Sequence, residues 1–135
     1  MIRMPGQSHQ GPLPPLTDEQ RALEQELHSH VQTLAGQIGE RNVFRHDRLV
    51  MAAEYIGTTL AGAGYEVGRQ PYEVGGKICE NVEAEVRGSR RPDDILVIGA
   101  HYDSVQGSPG ANDNASGVAA MLALARAFAK TTPTR

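Results

Sequence analysis

The sequence has no tryptophan and one cysteine, Cys79, in 135 residues. A single cysteine permits no intrachain disulfide, which excludes a disulfide-stapled scaffold. With no histidine or basic cluster beside it, Cys79 reads as a small buried strand residue and not a reactive thiol. A strong charge of either sign is also lacking. The formal net charge is −3, from 13 basic and 16 acidic side chains, and mixed signs give no basis for a nucleic-acid partner or an anionic membrane surface. No apolar run approaches the length of a membrane span, and residues 1–15 have no apolar core of the kind a secretory signal needs. The expected compartment is therefore the cytoplasm, or the exterior if the true N-terminus is missing. What is present, 39% hydrophobic and 21% charged residues, suits one globular domain.

Residues 1–15 include Pro5, Gly6, Gly11, Pro12, Pro14 and Pro15 and offer little to bury, so they read as a disordered lead-in to a domain over 16–135. Thr17 with Gln20 matches a capping box, and Leu23, Leu27, Val31, Leu34 and Ile38 recur at helical steps, predicting an amphipathic helix that ends near Gly39. His28 and His30 fall in its polar register and read as solvated. Arg41 to Asp47 reads as a loop with Arg41, Arg45 and Arg48 on the surface. A second helix is expected to bury Leu49, Ala53, Ile56 and Leu60 and to stop at Gly62 or Gly64. Two alternating stretches follow. One holds Tyr65, Val67, Tyr72 and Val74; the other runs from Ile78 to Val86, with Val82, Ala84 and Val86 facing inward and Glu83 and Glu85 outward, and together they predict a hairpin-like strand pair near a sheet edge.

The informative stretch is Ile95 to Lys130. Ile95, Leu96, Val97 and Ile98 form a continuous apolar run, expected to be a central strand covered on both faces. His101 falls at its C-terminal end, where side chains leave a packed sheet and converge on a crevice. Asp103 is close enough to accept the imidazole N–H that a metal leaves unused. Asn112, Asp113 and Asn114 stand directly before an apolar helical run containing Val118, Met121, Leu122 and Ala125, with Phe128 as a bulky anchor, so Asp113 lies near a helix N-terminus that favours an ionised carboxylate. A carboxylate beside a neutral histidine suits a zinc ion or a zinc pair. The same Asn-Asp-Asn-Ala-Ser string is also ordinary helix-capping chemistry.

The runs Gly99-Ala100-His101-Tyr102-Asp103-Ser104-Val105 and Pro109-Gly110-Ala111-Asn112-Asp113-Asn114-Ala115-Ser116-Gly117 closely resemble the co-catalytic di-zinc aminopeptidases, whose wider family includes glutamate carboxypeptidases and glutaminyl cyclases. The resemblance implies that His101 ligates one zinc, that Asp113 bridges two, that Asp103 orients His101, and that the bond from Asp113 to Asn114 is cis. It also implies an α/β fold, a three-layer α-β-α sandwich on a mixed sheet, with this chain as its N-terminal portion. The implied activity is zinc-dependent hydrolysis of the N-terminal bond of a peptide or protein, with zinc polarising the carbonyl and activating water.

The family's general-base glutamate and its remaining ligands lie downstream of the aspartate matched by Asp113, and no aspartate, glutamate or histidine follows Asp113 here. The chain is therefore expected to be inactive alone, and to self-associate through the sheet edge that Ile95–Ala100 leaves exposed. Two alternatives stay open: a non-catalytic fragment or remnant module, and acyl transfer of the glutaminyl-cyclase kind.

Overall fold

The computed structural model describes residues 6, 7 and 9–134. Most of the expected lead-in lies among these, and residues 9–15 carry neither helix nor strand; residues 1–5 and 8 lie outside the described residues. Helix α1 spans Asp18–Val31. Its capping box is present as expected: Thr17 Oγ1 accepts from the Gln20 amide at 3.2 Å, and Gln20 Oε1 accepts from the Thr17 amide at 2.9 Å. The chain runs on through a wider π-helical turn, Gln32–Ile38, and stops at Gly39, whose φ of 80° a side chain would resist.

A short 3₁₀ turn, Val43–Arg45, capped by Asn42 Oδ1, leads into α2 at His46–Gly62, which buries Leu49, Ala53, Ile56 and Leu60 as the periodicity predicts and adds Ala52. Strands β1 (Val67–Val74) and β2 (Lys77–Ala84) pair antiparallel, with Val74 opposite Lys77. Gly75 and Gly76, both at positive φ, make the two-residue turn whose twist matches that of the strands. Cys79 is buried. Helix α3 spans Ser116–Phe128. Leu34 and Ile38 from the end of the first helical segment, Ala52, Ile56 and Leu60 from α2, and Ala115, Val118 and Leu122 at α3 form one core, with Val82 of β2 packed against it.

Four expectations are corrected. Ile95–Ile98 is neither a strand nor buried: the four side chains are 82, 71, 84 and 51% exposed. A strand persists only where its backbone groups find a ladder partner, and among the described residues the sheet contains β1 and β2 alone. Arg41 is not a surface residue but fully buried. His30 is not simply solvated, since its Nδ1 lies 2.6 Å from the Tyr55 hydroxyl and burial lowers its pKa. Phe128 does not anchor α3 but remains half exposed, because the helix packs through Val118, Ala119, Leu122 and Ala123 instead.

Candidate metal centre

His101, Asp103 and Asp113 come together on the loop between residue 100 and α3. The imidazole Nδ1 of His101 is 3.1 Å from Asp103 Oδ1, and its Nε2 is 2.9 Å from Asp113 Oδ1. All three side chains are more than half exposed, so the site opens to solvent and its ionic contacts are screened.

Three local features turn these side chains toward one another. Tyr102 points the other way. Its hydroxyl donates to the Glu80 carbonyl at 2.6 Å, and burial, with a smaller contribution from Glu80, pushes its pKa up to about 12, so the phenol stays a neutral donor that ties the loop to β2. Gly110 turns the chain at φ 62°, and the peptide bond from Asp113 to Asn114 is cis, as the resemblance implies. The capping chemistry falls on neighbours of Asp113. Asn114 Oδ1 accepts from the Gly117 amide at 3.1 Å, and the Ser116 hydroxyl donates to the Asn112 carbonyl at 2.8 Å. A Cβ at residue 117 would lie 2.3 Å from Asn114 Oδ1, so the glycine makes room for that cap. Capping and a free Asp113 carboxylate are thus compatible, not rival readings of one string.

The donor set fits a zinc ion in part. Were the ring proton held on Nδ1 by Asp103, the Nε2 lone pair and the Asp113 carboxylate would together face a cation placed between them. Two ligands of one tetrahedral zinc sit about 3.3 Å apart, so the observed 2.9 Å must open by only a few tenths of an ångström. His101 and Asp113 supply two ligands; among the described residues no group of three or more histidine, cysteine, aspartate or glutamate side chains is arranged to hold a metal.

Residues that sequence periodicity did not single out hold this loop from below. The Arg41 guanidinium donates to the carbonyls of Tyr102 at 2.5 Å, Pro109 at 2.6 Å and Gly110 at 3.0 Å, and also to those of Leu34 and Gly39. The Arg41 amide donates to Ser104 Oγ at 3.1 Å, the Ser104 amide donates back to the Arg41 carbonyl at 2.8 Å, and Asn42 Nδ2 donates to the Ser104 carbonyl at 3.2 Å. Arg41 stands in a short charged stretch between two helices, where no apolar period marks one arginine as internal. The one available hint is that Gly39 stops a helix immediately before it.

Residues 81–135 match the sequence profile described as peptidase family M28. An uncharacterized protein of Escherichia coli, YfbL, is 33% identical over 120 residues, covering 83% of this chain and 36% of that protein. An aminopeptidase of Pseudomonas aeruginosa is 49% identical over 53 residues, 39% of this chain and 10% of that protein. Aminopeptidase YwaD of Bacillus subtilis is 64% identical over 33 residues, 24% of this chain and 7% of that protein. The chain thus spans just over a third of the length of YfbL and less of the other two. No solved structure matches it. His101, Asp103 and Asp113 all lie inside the matched stretch, and it is over residues 81–135 that this chain is similar to peptidase family M28.

Proposed function

We propose that this chain supplies the N-terminal part of the catalytic domain of a zinc-dependent exopeptidase, an aminopeptidase acting on the N-terminal bond of a peptide or protein. The observation that carries this reading is the His101 ring held between Asp103 and Asp113 on the loop entering α3. His101, through Nε2, and Asp113, through its carboxylate, would hold zinc there, with Asp113 shared between the ions if two are bound. Asp103 holds the Nδ1 proton and so keeps the Nε2 lone pair available. Zinc bound there supplies Lewis acidity toward a scissile carbonyl and toward water.

Hydrolysis also needs a base within about 3 Å of the proton it takes, directly or through one water. Asp103 is committed to His101, and among the described residues no third acid, histidine or cysteine joins His101 and Asp113 in a metal-holding group, so a base from outside these residues is part of the proposal. The finer architecture is proposed on the same grounds: α1–α3 and the β1–β2 hairpin are the opening part of a three-layer α-β-α fold whose mixed sheet takes in Ile95–Ala100 once neighbouring strands pair with it. Peptide substrates, and no nucleic acid or membrane, are the expected partners.

A chimera tests the reading. The part of the Pseudomonas aeruginosa aminopeptidase that corresponds to residues 81–135, the stretch that holds His101 and Asp113, is replaced by the sequence from this chain, and hydrolysis of chromogenic amino-acid amides is followed. Zinc-dependent turnover that disappears with His101→Ala supports the proposal. Turnover that survives His101→Ala refutes the assigned role.

A further inference from the structure

We infer that Arg41 is the positioning residue of this centre, setting the separation of His101 and Asp113 by tying together the two lengths of loop that carry them. The inference rests on the reading of His101 and Asp113 as metal ligands. Tyr102, which accepts from Nε, lies between His101 and Asp103; Pro109 and Gly110, which accept from the two Nη groups, end the turn that delivers Asp113. One planar group therefore holds both sides of the site from a segment more than sixty residues earlier in the chain. The same guanidinium reaches the Leu34 and Gly39 carbonyls where the first helical segment stops, which ties the loop to the core.

The physical reason is the cost of a buried charge. Arg41 is fully buried, and each of its side-chain hydrogen bonds goes to a backbone carbonyl and none to a carboxylate. A buried cation is tolerated only while its donors are satisfied, so displacing either length of loop strips partners from a charge that cannot reach water. The loop is held as firmly as the charge must be solvated. Gly110 shows how tightly it closes: at φ 62°, a Cβ there would lie 2.6 Å from Ser104 Cβ, 2.7 Å from the Asp113 carbonyl oxygen and 3.2 Å from Arg41 Nη2. Lysine cannot replace the fork, because three donors on one nitrogen do not span carbonyls approached by Nε on one side and by the Nη groups on the other.

The test compares Arg41→Lys and Gly110→Ala with Ile56→Val, which trims the core on α2 by one methyl group and removes none of the loop's hydrogen bonds. Zinc chloride is titrated into the 135-residue chain while the His101 ring is followed by NMR, and helix content and melting are followed by circular dichroism. Arg41→Lys and Gly110→Ala are expected to weaken zinc binding about 10- to 100-fold and to weaken the His101–Asp113 proton contacts in the metal-free chain. Ile56→Val should lower the melting temperature yet change zinc affinity less than about twofold, because it shares no hydrogen-bond partner with Arg41 or the loop. An Arg41→Lys chain that keeps wild-type helix content and wild-type zinc affinity overturns the positioning role. If Arg41→Lys does not fold, Gly110→Ala decides by the same readouts; collapse of both makes Arg41 a fold-wide requirement and equally overturns it. Zinc binding that ignores His101→Ala, alongside weakened His101–Asp113 contacts in Arg41→Lys, sinks the metal assignment while leaving the tether intact.

Discussion

Leu34→Ala is the sharpest test of the core beneath this loop. Leu34 is fully buried in a core that also takes in Ala52 and Ile56 from α2, Val118 from α3 and Ala115 just before it. Truncating leucine to alanine in a packed core costs about 2–5 kcal/mol, the spread reflecting how far the site can collapse. Here collapse is limited, because Ala52 and Ala115 have no longer side chain with which to fill the void and both backbones are fixed in helical turns. The expected loss is therefore clear of the low end of that range, about 3–4 kcal/mol, a large fraction of the roughly 5–15 kcal/mol that holds a domain together. At about 3–4 °C per kcal/mol for a chain of this size, the melting temperature should fall by about 10–15 °C. Circular dichroism at 222 nm and urea titration measure it, with the midpoint shifting and the slope unchanged. A fall of less than about 3 °C at unchanged slope would mean that the first helical segment, α2 and α3 do not share one core, and the support under residues 102–110 would have to be sought elsewhere.

Other predictions follow from single contacts. Burial lowers the pKa of His30 from its ordinary 6.5, so the folded chain binds that proton less readily than the unfolded chain. Its stability contribution is therefore complete above about pH 6.5 and declines as pH falls below it; the wild-type melting temperature should drop more than that of His30→Gln between pH 7.5 and 5.5, and parallel curves would contradict the burial argument. Tyr102→Phe removes the bond to the Glu80 carbonyl and should cost about 1 kcal/mol in urea unfolding; an unchanged midpoint would show that the phenol does not fasten the loop to β2. Val97 is 84% exposed within an apolar run, so Val97→Lys should weaken concentration-dependent self-association in sedimentation velocity several-fold. A chain that is monomeric at all concentrations removes that expectation.

The sequence carried local structure well where a short-range rule decides it. Thr17 and Gln20 marked the start of α1, Leu49, Ala53, Ile56 and Leu60 marked the buried face of α2, and His101 with Asp103 lay close enough in sequence for their contact to follow from spacing. It failed where long-range partners decide. Ile95–Ile98 has the composition of a covered strand, but composition does not provide the ladder and layers that would cover it. Arg41 has the composition of a surface residue, and only the meeting of residues 34–39 with 102–110 supplies the carbonyls that let it go inside. The nearness of Asp113 to His101 followed from the family resemblance, since neither periodicity nor charge pattern brings residue 113 back onto residue 101.

The central claim is that His101 and Asp113 together form a zinc site. Calorimetric titration of zinc into the chain, into His101→Ala and into Asp113→Ala tests it most directly. Two protein ligands are fewer than the three of an ordinary catalytic zinc, so the account predicts weak binding that either substitution abolishes. Tight stoichiometric binding that survives His101→Ala would place the metal elsewhere and contradict it.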